Sequence, residues 1–344
     1  METKNIKLNN NEIRLILSKH YNINPIKIAQ INRGTSDIFK IETQDKKYIL
    51  KEFIEGRKKE LILKEINIIN ILKKNNIKVP VYVKTIDNKY YTQKRNRIIV
   101  VQEFLEGYTI DNNKGDYYKT IESARILGKI VKALKNYKGL NEENIIEKSF
   151  SKSSLQKGII KMEKLQQELK ENNPYKSKCY KDLEDKIKIA KEIEKNFDFN
   201  IINKISILNS HGDYCSQQLI YNDNEKTAVI DFERAKKLPI VWEIIRSYSY
   251  IDKNVKNGEI NINTLVDYFK EFEKYIELNK YDLKYAPHIY IIQLTSSVFG
   301  YKEYNNNFEK EDLLKFGFFR TNLCKYIYQN IEEISLKLEK LKNE

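Results

Sequence analysis

Two aspartates in the stretch SHGDYCSQQLIYNDNEKTAVIDFERA, residues 210 to 235, have the type and spacing to do chemistry. Asp213 follows His211 and Gly212 and opens a polar loop, and Asp231 comes 18 positions later, after the run TAVI. QLIYN and AVIDF read as two strands joined across the turn YNDNEK, so an antiparallel return would present both carboxylates at the mouth of one hairpin. Converging carboxylates have a use: one accepts a proton from a nucleophile while the other holds a metal cation. Taken alone, Asp213 reads as turn chemistry, since Asp is common in turns. The pair, with the residues around it, reads as a site.

The elements that must position these groups change texture near residue 105. Before it come short segments of period-2 alternation, KIAQIN, DIFKIET, KKYILKEF and RIIVVQEF, with one helical stretch from about Lys58 to Lys74. After it, helical spacing dominates. Ile121, Ala124, Leu127, Val131 and Leu134 recur at intervals of three and four, and similar faces run through 152–171, 178–196, 262–279 and 309–341. Asn172-Asn173-Pro174 predicts a break between two of those helices, because Pro removes a donor and disfavours helix in the residue before it.

A chain of 344 residues exceeds one ordinary core, so two lobes are expected. With only 11 Gly and 5 Pro against 41% hydrophobic residues and 11% aromatics, the composition is a globular profile with little room for disorder. Three widely spaced cysteines, Cys179, Cys215 and Cys324, argue against a disulfide framework or a CxxC metal site and fit a reducing cytoplasm. METKNIKLNNNEIRLIL lacks the apolar core of a signal peptide, and nowhere do 18 apolar residues run together, so neither export nor a membrane is expected. The net charge of +14 invites a nucleic-acid reading. Its excess is Lys interleaved with Glu, as in KKELILKEINIINILKKNN, with Arg scarce, which reads as solvated helix faces and not a nucleic-acid stripe.

His211-Gly212-Asp213, an amide at Gln218 five residues later, and Ile230-Asp231-Phe232 resemble the signature of the aminoglycoside phosphotransferase and choline kinase superfamily, relatives of the protein kinases. The resemblance covers most of the chain and extends, more loosely, to the spore-coat kinase-like branch. In protein kinases the same parts read H-R-D-x-x-x-x-N and D-F-G, the first Asp acting as base and the Asn and second Asp holding Mg²⁺. It implies an α+β, bilobal, protein-kinase-like fold: a small antiparallel sheet lobe over 1–102, a hinge at 103–107, and a larger, mainly helical lobe over 108–344. It also implies Asp213 as the base and Gln218 and Asp231 as Mg²⁺ ligands. Gln218 stands where the family has Asn, and the added methylene either shifts the metal or is absorbed by the loop. Glu233, where protein kinases have Gly, is either a metal ligand or a support to one.

Phosphoryl transfer also needs a cation on the nucleotide's phosphates, amides over them and an apolar slot for the base. In YILKEF, alternation puts Ile49, Lys51 and Phe53 on one face, so Lys51 would reach phosphate while Ile49 lies under the base. By position alone Lys51 would pass for a solvated strand lysine in this Lys-rich chain. The family's usual distance makes Glu65 the residue that orients Lys51, with Glu60 a competitor one turn earlier. The lid would be NRGTSDIFKI, with Gly34 allowing a tight turn and Thr35 and Ser36 offering hydroxyls and amides. RIIVVQEFLEG resembles the hinge, where backbone groups of Glu103 and Leu105 would meet the purine edge.

Beyond Asp231, Pro239 precedes a helix on which Glu243 holds the place of a family residue that braces the catalytic loop. Trp242 reads as core. Tyr248, Tyr250, Tyr290 and Tyr301 enrich the region of the acceptor site and would enclose a quaternary ammonium, stack on a sugar, or simply pack in the core. Cys215 has no His in a partner arrangement, His211 reads as a packing residue, and His20 and His288 have no assigned role. The expected activity is ATP- or GTP-dependent, Mg²⁺-dependent transfer of the γ-phosphoryl group to a hydroxyl of a small molecule: an aminoglycoside, a choline-like alcohol or a sugar. The alternative is a kinase-like structural protein of the spore-coat type with little or no turnover.

Overall fold

The computed structural model describes residues 7–31, 36–140 and 145–342. The chain divides into two compact units: Met1–Thr109 with Gln218–Glu233, and Ile110–Gln217 with Arg234–Glu344. The segment carrying Gln218 and Asp231 therefore groups with the sheet unit, although it lies in the stretch expected to belong to the helical lobe.

The first unit is built on α1 (Asn10–Tyr21), β1 (Lys27–Ile31), β2 (Asp37–Glu42), β3 (Lys47–Glu52), α2 (Lys59–Lys74), β4 (Thr92–Lys94) and β5 (Arg97–Glu103). Its strands form an antiparallel sheet in the order β1-β2-β3-β5-β4. Four of these strands fall within the segments read as strands from the sequence, although β5 is buried at six positions in a row and does not alternate. The expectation of a single helix here is wrong, because α1 precedes the sheet. Asn9 and Glu12 close a capping box on it, and Asn22 ends it in the left-handed conformation at φ 53°. Ile13, Ile16, Leu17 and Tyr21 of α1 pack on Phe39, Ile41, Leu50, Ile99 and Val101. Glu52 lies beneath the same strands and is buried, held by Arg97 at 2.9 Å and by the Leu8 N–H at 3.2 Å. A hairpin of β7 (Leu219–Asn222) and β8 (Glu225–Val229) completes this unit.

The second unit holds α3 (Tyr117–Leu134), α4 (Ile145–Ser149), α5 (Lys152–Gln167), α6 (Lys176–Asn196), β6 (Ile207–Ser210), β9 (Lys236–Pro239), α7 (Ile240–Ile251), α8 (Ile262–Glu273), α9 (Lys280–Thr295), α10 (Tyr301–Asn306), α11 (Glu311–Gln329) and α12 (Ile331–Glu339). β6 and β9 pair antiparallel. The helices pack α3 on α7 and α8, α5 on α6, and α9 on α7 and α12. The break at Asn173-Pro174 separates α5 from α6, whereas the pattern over 309–341 is two helices parted at Asn330. Pro287 sits inside α9, a helix the sequence pattern did not reveal: its residues are buried on several faces and leave no single apolar stripe.

Three free cysteines are buried, and burial pushes the thiol of Cys179 up to about 11 and that of Cys324 up to about 12. Among the described residues no helix is long and apolar enough to cross a membrane.

Candidate active site

Lys51 is half-buried on β3, between Ile38 of β2 and Val100 of β5. The alternation that leaves Lys51 and Ile49 partly open turns Leu50 and Glu52 into the core. On α2, Glu65 is 2% exposed and its Oε1 has no hydrogen bond, whereas Glu60 in the first turn is exposed. Burial raises the Glu65 pKa; the Lys51 charge opposes that rise and the Asp231 charge adds to it. Of the two candidates, Glu65 is thus the one that senses Lys51. Buried Tyr82 shares this pocket, and its hydroxyl is held protonated by burial and by the charge of Glu65. Nothing in the sequence marked Tyr82.

Ser36 lies half-buried just before β2, while Gly34 and Thr35 fall outside the described residues. At the end of β5, the Glu103 N–H donates to Val81 O at 2.9 Å, so only its carbonyl remains for a base, and the Phe104 N–H donates to Lys47 O at 3.1 Å. Leu105 follows, half-buried.

Gln218 and Asp231 sit at the same end of the β7–β8 hairpin, where the Ile230 N–H donates to Gln218 O at 3.0 Å. Asp231 is held at φ 69°, a left-handed conformation uncommon for a residue with a side chain. Such strain collects at functional positions. Glu233 is ion-paired to Arg57 at 3.0 Å, and that guanidinium lies 5.3 Å from the Phe53 ring. Among the described residues no cluster of three His, Cys, Asp or Glu could hold a metal. A carboxylate and an amide oxygen still suit Mg²⁺, which takes one or two protein oxygens and completes its shell with phosphates and water.

Asp213 belongs to the second unit, in the loop after β6, so the hairpin presents Asp231 and not both aspartates. Gly212 before it has φ 81°, and a Cβ there would lie 2.1 Å from the Arg234 carbonyl oxygen, so only glycine fits. α7 grips this loop. Buried Glu243 accepts from the Tyr214 N–H at 3.2 Å, which is the bracing role read from the sequence, and Arg246 donates to Tyr214 O at 2.9 Å and to Asp213 Oδ1 at 2.5 Å. Arg246 was not foreseen, although its place three residues after Glu243 puts both on one face of α7. Arg234 Nε approaches Asp213 Oδ2 at 3.8 Å, and His211 is fully buried edge-on to Tyr214.

Asp213 lines a cavity of 460 Å³ within the second unit, walled by the rings of Phe150, Trp242, Tyr250, Tyr290 and Phe316. Tyr248 and Tyr301 belong instead to the core, bonded to Asn261 O at 2.9 Å and to Asp182 at 3.0 Å. Trp242, read as core, is nearly buried but also faces this cavity, its indole N–H donating to Gln293 at 3.2 Å.

The family model for APH, the phosphotransferase enzyme family, matches residues 27–266, well over half of the chain. The chain belongs to this family. No curated protein matches its sequence. Among solved structures, this APH chain is similar to a spectinomycin phosphotransferase in complex with ADP and spectinomycin, at 15% identity and a TM-score of 0.64, covering 97% of this chain and 100% of that one. It is also similar to an aminoglycoside phosphotransferase from Alicyclobacillus acidocaldarius (13%, TM-score 0.67, covering 97% and 99%). A third is a microcompartment-associated aminopropanol kinase (12%, TM-score 0.63, covering 96% and 100%). At these identities the likeness shows the fold: the mixed α+β, kinase-like architecture that the APH resemblance implied.

Proposed function

We propose that this APH-family chain is a small-molecule kinase that transfers the γ-phosphoryl group of ATP or GTP, with Mg²⁺, to an alcohol. One observation carries the reading: Asp213, fixed by α7 and by the strict glycine before it, opens onto a cavity of small-molecule size. Its Oδ1 is engaged by Arg246, and Oδ2, which Arg234 approaches only to 3.8 Å, takes the proton of the acceptor hydroxyl. The acceptor oxygen then forms its bond to the γ-phosphorus as the bond to the β-γ bridging oxygen breaks, and the nucleoside diphosphate leaves. Lys51, kept in place by Glu65, binds the donor's phosphates, to which Ser36 and the sequence-assigned Gly34 and Thr35 would offer hydroxyls and amides. Ile49 and the backbone of Glu103 and Leu105 take the base. Asp231 and Gln218 would hold Mg²⁺, which when bound neutralises charge on the phosphates.

Nucleotide turnover and nucleotide-induced shifts in Tm test this assignment together. Asp213→Asn is expected to cut turnover by roughly 10²-fold or more while nucleotide affinity is kept, because a base acts only on the chemistry. Asp231→Asn is expected to lose both. Equal and mild effects from the two changes would return them to the status of turn residues.

The second reading, a kinase-like structural protein of the spore-coat type, draws on one observation: Gln218 in place of the family's Asn.

A further inference from the structure

Among the described residues, the cavity beside Asp213 has the wrong sign for a polycation. Arg234, Lys236, Arg246 and Arg320 line it, against Asp213 as the single described carboxylate in its wall. Arg246 is matched by Asp213. Arg320 is 9% exposed, and its one described hydrogen bond runs to the Ser297 hydroxyl at 2.8 Å. Its Nε is buried with no partner. Among the described residues neither Arg320 nor Lys236 forms an ion pair with a carboxylate. A buried guanidinium without a counter-charge is costly, and the cost is recovered when an anion arrives. Its field reaches Lys186 of α6: burial, and then the Arg320 charge, bring that ammonium down to about 7.

Resting on the reading of Asp213 as base, we propose that the acceptor alcohol is itself an anion, its carboxylate or phosphate group held by Arg320 and Lys236 while its hydroxyl meets Asp213. A cationic aminoglycoside or choline-like alcohol would enter against the excess of described positive charge, and like charges repel more strongly in a partly enclosed site than in water. The ring-lined wall fits an apolar body between the two ends of the acceptor.

A set of para-substituted benzyl alcohols, each with one acceptor hydroxyl on the same ring, tests the charge: 4-(hydroxymethyl)benzoate, 4-(hydroxymethyl)phenyl phosphate, neutral 4-methylbenzyl alcohol and cationic 4-(aminomethyl)benzyl alcohol. With Mg²⁺ and ATP, the anions are expected to exceed the neutral alcohol in kcat/KM by about tenfold or more, with the cation lowest. The better of the two anions identifies the head group. Arg320→Gln should raise KM for the anions and shrink their advantage over the neutral alcohol, whereas Arg320→Lys should restore part of it. Lys236→Gln, at a half-exposed edge, gives the same test without disturbing a buried site. A cation or neutral alcohol used as well as the anions, or an anion preference that survives both glutamine changes, overturns the proposal. The Tm shift caused by 4-(hydroxymethyl)benzoate alone separates this from the phosphotransfer reading. A shift that persists beside AMP-PNP in a protein without turnover upholds the anion site and sinks the kinase assignment. Displacement by AMP-PNP assigns these cations to the nucleotide and overturns the proposal.

Discussion

Asp213 shares its carboxylate with Arg246 and Arg234, and Asp231 holds a strained backbone conformation. Gln218 is where enzyme and structural protein part. Mg²⁺ accepts ligand oxygens at about 2.0–2.1 Å in near-octahedral geometry, so an added methylene works only if the loop has retreated to match it. In a working enzyme Gln218→Asn is expected to leave the oxygen short and lower turnover several-fold. A gain from an inactive baseline, in side-by-side nucleotide turnover, would favour the structural reading instead. Asp213, Asp231 and Lys51 were legible as candidates in the sequence, because the proposed base, metal carboxylate and phosphate lysine admit few substitutes in type and spacing. Arg246, Arg320 and Tyr82 were not, because a lone cation or phenol on a helix or strand reads as surface or core until its neighbours are known.

At the scale of elements, α7 does most of the positioning, since Glu243 and Arg246 fall on its loop-facing side and hold successive peptide groups. The strands and amphipathic helices were readable from alternation and from three-four spacing. α1 was missed although Asn9 and Glu12 spell a capping box ahead of Ile13, Ile16 and Leu17, and α9 was hidden by Pro287 and by burial on several faces. α1 covers the sheet that carries Lys51 and packs as a full core element, not as an appendage. Ile13→Ala, at a fully buried position, is expected to cost about 2–4 kcal/mol of stability in denaturant unfolding. A loss below about 0.5 kcal/mol would mean that α1 is not part of the cooperative core.

At the scale of the whole molecule, the 62 Lys and Arg outnumber the 48 Asp and Glu to leave a net +14, and helix-face pairs such as Lys164–Glu168, Lys188–Glu184 and Lys337–Glu333 offset part of the positive charge locally. Exposed pairs of this kind contribute little each, so they bear on solubility more than on stability. Lys186 differs, being buried with its pKa lowered from 10.5 to about 7, chiefly by burial. Between those values the unfolded chain holds a proton that the folded chain has released, so stability from this group rises with pH through that window and is lost as pH falls towards 7. From pH 7 to 9 the gain is about 2 kcal/mol at most. Lys186→Met is expected to be more stable at pH 7 and to lose this component of the rise. Parallel pH profiles for the two proteins would contradict the assignment. The sequence showed this lysine as one of many, because a buried cation is recognised by what surrounds it.

The buried cysteines give the protein a clock of its own opening. With every thiol covered, and two of them held far from the thiolate, a thiol-specific dye marks a molecule only after the fold around that sulfur has parted. Cys215 lies two residues from Asp213, whereas Cys179 and Cys324 lie on α6 and α11. The order in which the three acquire the dye therefore distinguishes breathing of the Asp213 loop from loss of the helical body, with no probe engineered into the chain.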